Sequence, residues 1–266
     1  MSWLNEIPLN QFLLFTLVLA RLSGLVMTAP IFGAREVPVR IRALLAFALA
    51  VLITPLEAHV TVEYPASVPA YLVTVGGEML LGLALGMGVV ILFLGVQMVG
   101  QIIGMVSGMR VASIFNPSLN ARVSIFAQLL NLFAVAVFLI VGGHRMMMVA
   151  FLDLFAAVPP GQAGIPTELG DMVTMLLAQS YSLAVRAAAP AVAAVLLSNL
   201  VLGLIGRTMP QLNILAVGFG LNSMVSLGTL SVTLGSIAWA FHDQIEPTLQ
   251  LILNALQSTA SVVTFG

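Results

Sequence analysis

The sequence predicts an all-α integral membrane protein, and three observations carry that prediction. Of 266 residues, 60% are apolar and 7% carry a formal charge, against roughly 25% charged in an average soluble domain. Nine cationic and ten anionic residues cannot coat a soluble protein of this size. Several apolar runs reach the roughly 20 residues that a helix needs to cross a bilayer core. No sustained period-two alternation is present, which argues against a β-barrel. The same composition excludes disorder, and a net charge of −1 excludes the basic surface that nucleic acid requires.

In chain order the apolar runs fall at 12–32, 41–56, 71–103, 123–141, 146–158, 172–205, 221–241 and 249–265. The first reads as a retained helix, because Met1-Ser2-Trp3-Leu4-Asn5-Glu6 lacks the positive start of a cleavable signal. It ends at the turn Pro30-Ile31-Phe32-Gly33, and the second ends before a turn at Pro65 to Pro69. The third, at 71–103, exceeds one untilted crossing. Asn116-Pro117-Ser118 separates it from the fourth. The fifth is too short to span and contains Asp153. Pro159-Pro160-Gly161 follows, then a sixth long run that Pro190 should kink by removing one intrahelical bond. Met209-Pro210-Gln211 opens a turn before the seventh, and Asp243 with Glu246 marks another turn before the eighth. Helices that ignore bilayer thickness suit a protein built to pack against other proteins.

Loop charges set an orientation. Arg35, Arg40 and Arg42 between the first two runs, and Arg207 in a later turn, place those segments in the cytoplasm and the N-terminus outside. The acidic segments around Glu57, Glu63, Glu168 and Asp171 are then external. The segment holding Arg110 and Arg122 is cytoplasmic unless it faces a protein-lined lumen.

Two stripes run along the long third helix. Gly82, Gly86, Gly100, Gly104 and Gly108 fall within an arc of about 80° at 3.6 residues per turn. Small residues four apart let a second helix approach closely, within the chain or between subunits. Met87, Met98, Met105 and Met109 form a second stripe about 40° wide. Such a stripe is either ordinary apolar surface or a soft lining that yields to different contents. The loop Met109-Arg110-Val111-Ala112-Ser113-Ile114-Phe115-Asn116-Pro117-Ser118-Leu119-Asn120-Ala121-Arg122 follows. Irregular backbone of mixed polarity between apolar helices is either a surface loop or the lining of a water-filled pore.

Ionisable groups within apolar runs are costly and are candidates for function. Arg21, Glu78, Asp153 and Arg186 qualify, while Arg207 with Pro210, Gln211 and Asn213 forms a cytoplasmic turn. Arg207 sits at a helix end, where structural pairing or snorkelling to the interface is favoured over a functional role. The chain has no Lys and no Cys, and His59, His144 and His242 lie far apart. Schiff-base, thiolate and metal chemistry therefore find no constellation. Gly218-Phe219-Gly220 lacks the strand that a phosphate-cradling loop needs. No enzyme site and no cofactor are expected.

Several segments together resemble the FliR family, subunits of the flagellar type III protein-export gate with injectisome relatives of the SctT type. They are Arg21-Leu22-Ser23-Gly24, Ala29-Pro30-Ile31-Phe32-Gly33, Val37-Pro38-Val39-Arg40-Ile41-Arg42-Ala43 and Gly77-Glu78. Gly100-Gln101-Ile102-Ile103-Gly104-Met105, Ala112-Ser113-Ile114-Phe115-Asn116-Pro117 and Arg207-Thr208-Met209-Pro210-Gln211-Leu212-Asn213 follow in order. Asn116 and Gly220 depart from the Asp and Pro that relatives often carry there.

The resemblance implies a bacterial inner-membrane protein of the flagellar basal body, assembled with FliP and FliQ, with FlhB docked on the gate and FlhA nearby. It implies a FliP-like part at 1–170, with a pore plug at 109–122, and a FliQ-like hairpin and last helix at 171–266. Its cargo would be unfolded flagellar proteins. The alternative is a stand-alone secondary transporter of a small solute, which Pro190 and the intramembrane charges would suit.

Overall fold

The computed structural model describes residues 9–33, 37–60, 62, 67–108, 124–163, 169–209, 211 and 214–263, with backbone alone at 214–216 and 258–263. Among these residues the chain is all-α. The helices are α1 (Leu9–Thr28), α2 (Val39–Ile53), α3 (Val68–Val106), α4 (Ile125–Val141), α5 (Gly143–Ala157), α6 (Leu169–Thr208) and α7 (Ile214–Val263). Four of them, α1, α3, α6 and α7, are long and apolar enough to cross a membrane, and α4 with α5 would make a fifth span. With 39, 40 and 50 residues, α3, α6 and α7 run about 58, 60 and 75 Å. Each outreaches a hydrocarbon core of roughly 30 Å.

Local chemistry explains the ends. Pro38 stands at the N-cap of α2, and Pro69 lies in the first turn of α3, where a missing N–H costs no bond. The turn expected at Pro65 to Pro69 is thus partly helix. Gly142, with φ +79°, breaks the chain between α4 and α5 in a left-handed conformation that a side chain resists. Asp171 in the first turn and Arg207 in the last turn of α6 complement its dipole.

One expectation fails: the runs at 221–241 and 249–265 are a single helix, with no turn at Asp243 and Glu246. Both acids are exposed while Ile245 and Thr248 are buried, so one face continues inward past the charges. Pro247 forfeits only its own N–H bond.

Two compact units divide the chain. The first comprises Met1–Ile91, Gly142–Leu176 and Ile245–Gly266. Within it α1 and α2 pack together, with Phe15 edge-on to Phe47. Leu13, Leu14, Leu17 and Val62 make a core cluster against Val60, Tyr71 and Val75. Asn10 clamps the segment after α2, donating to the Val60 carbonyl and accepting from the Val62 N–H.

The second unit comprises Leu92–Val141 and Leu177–Gln244. Within it Phe93 stacks edge-to-face on Phe138 of α4 and Phe241 of α7 at 5.3 and 5.2 Å. Such aromatic pairs add about 0.5–1.5 kcal/mol each beyond area burial.

Candidate functional site

The intramembrane charges separate into two kinds. Arg21 of α1 and Glu78 of α3 are fully buried and form an ion pair in the first unit, with Arg21 Nε donating to Glu78 Oε2 at 2.6 Å. Arg21 Nη1 donates to the Leu154 carbonyl of α5 at 3.3 Å, and the guanidinium lies 4.3 Å from the centre of the Phe155 ring. Glu78 Oε1 accepts the Gly161 N–H at 2.7 Å. Gly161 holds φ +93° in the turn after α5, a conformation that suits glycine. One charge pair therefore fastens α1, α3, α5 and the following turn. These extra bonds offset part of the pair's desolvation cost, while Arg21 Nη2 is left without a hydrogen-bond partner.

Asp153 and Arg186 behave differently. Both are exposed. Asp153 lines a small recess in the first unit with Arg145 and Glu246. Arg186 lines a cleft of about 860 Å³ in the second unit, between α6 and α7, with Asp243.

The glycine stripe marks close helix contacts. A Cβ on Gly82 would overlap the Arg21 carbonyl, and one on Gly86 would overlap the Thr28 hydroxyl, both on α1 in the first unit. In the second unit a Cβ on Gly100 would overlap the Ala127 backbone, and one on Gly104 the Ser124 hydroxyl. Gly108 leaves the stripe, because α3 ends at Val106. It takes φ +79°, and a Cβ placed there would meet nothing within 4 Å among the described residues.

Of the methionines, Met87 and Met105 are exposed and Met98 is half-buried. Met109 lies outside the described residues, as does all of the loop from 110 to 122. Arg207 in the last turn of α6 is exposed, as is Gln211 beyond the helix, while Pro210 and Asn213 also fall outside the described residues.

Sequence reasoning passes over the amides. Asn222 of α7 donates to Asn199 Oδ1 at 2.6 Å and accepts from Ser198 Oγ at 2.8 Å, tying α6 to α7. Gln97 of α3 donates to Asn131 of α4 at 2.7 Å. The signal is present: four amides stand in uncharged apolar runs, where such groups bond between helices. Among the described residues no three acidic or imidazole groups gather as metal ligands. The arrangement fastens helices to one another.

The helices differ in how far the chain itself covers them. In the most apolar stretches of α1 and α3, 56% and 67% of residues are buried, against 28% and 22% in α6 and α7. Leu197 and Leu200 of α6 and Val232 of α7 stand 65%, 61% and 84% exposed.

Comparison with known proteins gives a consistent result. The family model of bacterial export proteins, family 1, matches residues 12–248. The flagellar biosynthetic protein FliR of Caulobacter vibrioides is 28% identical over 235 residues, 88% of this chain and 94% of that protein. The FliR of Bacillus subtilis is 29% identical over 255 residues, 93% of this chain and 96% of that one. The secretion system apparatus protein SsaT of Salmonella typhimurium is 29% identical over 178 residues, covering 65% of this chain and 66% of that protein.

Proposed function

The chain belongs to the bacterial export proteins, family 1, and we propose that it serves as a FliR-type, non-enzymatic core subunit of the flagellar export gate. The match across residues 12–248, with FliR proteins similar over nearly their whole length, is the observation that carries this reading. The chain would join FliP and FliQ in the bacterial inner membrane within the flagellar basal body, with FlhB docked on the assembly and FlhA nearby. Unfolded flagellar proteins would pass through the channel so formed. Residues 1–170 would take the FliP-like place in the ring, and residues 171–266 the FliQ-like hairpin with its last helix.

The sparse cover of α6 and α7 supports this reading, since a subunit of a ring leaves apolar faces for its neighbours. The loop at 109–122 would seal the resting pore. Val111, Ile114, Phe115 and Leu119 can occlude by packing or dewetting. Met87, Met98 and Met105 would offer contacts that yield as a chain threads past.

Co-expression of the tagged chain with FliP and FliQ, followed by purification in mild detergent, tests the assignment. The three should elute together as one complex. A monodisperse single chain that binds a small solute would replace the gate with the transporter reading.

A further inference from the structure

We infer that Asn199 and Gly203, on the exposed face of α6, seat one apolar helix of a neighbouring gate subunit, and that this helix presents an uncharged hydrogen-bond acceptor to Asn199. The inference rests on the gate reading and adds the chemistry of the contact.

The amide relay of the second unit sets what Asn199 has left to offer. Ser198 Oγ donates to Asn222 Oδ1, and Asn222 Nδ2 donates to Asn199 Oδ1. Asn222 is buried and Asn199 is exposed. Asn199 therefore spends its acceptor inward, and its Nδ2 hydrogens meet no acceptor among the described residues. Leu196, Leu197, Leu200 and Leu204 stand exposed around it, and residues 187–206 carry no charge. An apolar medium that covers those leucines covers the amide as well. Lipid tails cannot take its hydrogens, and an amide left unpaired in such surroundings is costly. A helix bearing an acceptor resolves this, as amides between apolar helices do.

Gly203 is an independent sign of the same contact. It lies one turn beyond Asn199, about 40° away around the helix, and is exposed. Glycine weakens a helix relative to alanine. At Gly100 and Gly104 the chain itself needs the missing side chain, because a Cβ there would overlap another segment. A Cβ on Gly203 would meet nothing within 4 Å among the described residues. Room of that kind on an apolar helix lets a second backbone come close, and here the close approach falls beside the Asn199 donor. Charge decides the kind of acceptor. An ionised group set against the uncharged stretch 187–206 would be stranded there, so the acceptor is an amide or hydroxyl oxygen.

The test uses the tagged full-length chain, co-expressed with FliP and FliQ and immobilised in mild detergent, and follows the rate at which FliP and FliQ leave it. Gly203→Leu meets open space within the chain, so the variant should melt like the parent yet release its neighbours about tenfold faster. Asn199→Ala and Asn222→Ala both break the inward relay, and both should unfold earlier than the parent. Asn199→Ala also removes the outward donor, so it should speed release about fivefold, and Asn222→Ala far less. A photo-crosslinker at Leu200 should capture a helix of FliP or FliQ within one turn of a Ser, Thr, Asn or Gln. Release at the parent rate from both Gly203→Leu and Asn199→Ala would overturn the inference and leave the gate reading intact. Capture of lipid alone at Leu200, in a complex that holds FliP and FliQ, would do the same. A parent chain that never retains FliP and FliQ would remove the gate reading, and this inference with it.

Discussion

Replacing Glu78 by Gln removes the charge opposite Arg21 while keeping an amide oxygen that can still accept the Gly161 N–H. The substitution therefore isolates the ion pair. Both side chains are fully buried, and their 2.6 Å contact leaves no room for bulk water to compensate. Removing one partner of a buried pair costs about 3–5 kcal/mol, because the remaining charge is stranded. That is a large share of the about 5–15 kcal/mol that keeps a typical protein folded. Arg21 Nη2 already lacks a hydrogen-bond partner, so the stranded guanidinium would have only the Leu154 carbonyl and the Phe155 ring to hold it.

Denaturant unfolding of the full chain in detergent reads the loss directly. Arg21→Met should cost a similar amount, and the double variant should cost far less than the sum, since it strands nothing. The coupling from that cycle should exceed about 2 kcal/mol, within the range for residues in direct contact. A Glu78→Gln protein that unfolds with the parent, or single losses that simply add, would refute the pair as the fastening of α1, α3 and α5.

Gly100→Leu and Gly104→Leu drive side chains into the Ala127 backbone and the Ser124 hydroxyl. Each should destabilise by about 1–3 kcal/mol or more, while Gly228→Leu, with open space around it, should melt like the parent. Asn222→Ala breaks the bonds to Ser198 and Asn199. It should cost on the order of 1–2 kcal/mol in the same unfolding assay; no loss would mean that the amide cluster does not hold α6 to α7. A reporter enzyme fused after Gln211 should be active only if it works in the cytoplasm. Activity of a periplasm-dependent reporter there would reverse the topology.

Composition and run length reveal the helical membrane class because both follow from the solvent, and α1 to α6 fall close to the runs that hydrophobicity marks. The continuity of α7 is hidden from such a reading. Asp243, Glu246 and Pro247 look locally like a turn, and only the shared outward placement of the two acids lets the helix pass through. Arg21 and Glu78 stand out singly as charges in apolar runs. Their pairing joins residues 57 apart in sequence on different helices, which no local spacing encodes. The glycine stripe is legible as far as Gly104, because a four-residue period maps onto one helical face. It overruns at Gly108, beyond the end of the helix. The amides Gln97, Asn131, Asn199 and Asn222 escape a reading centred on charge, although neutral polar groups inside apolar helices obey the same rule.

On the proposed function, secreted chains pass through a channel built partly from this protein. A photo-crosslinking residue at Phe115, within the loop that would seal the pore, tests it in cells arrested with a flagellar export substrate fused to a folded, unexportable domain. A crosslink between Phe115 and the trapped substrate is expected, and it should disappear when export is de-energised before the substrate is made. Crosslinks to lipid or to neighbouring subunits alone, unchanged by the trapped substrate, would contradict the claim.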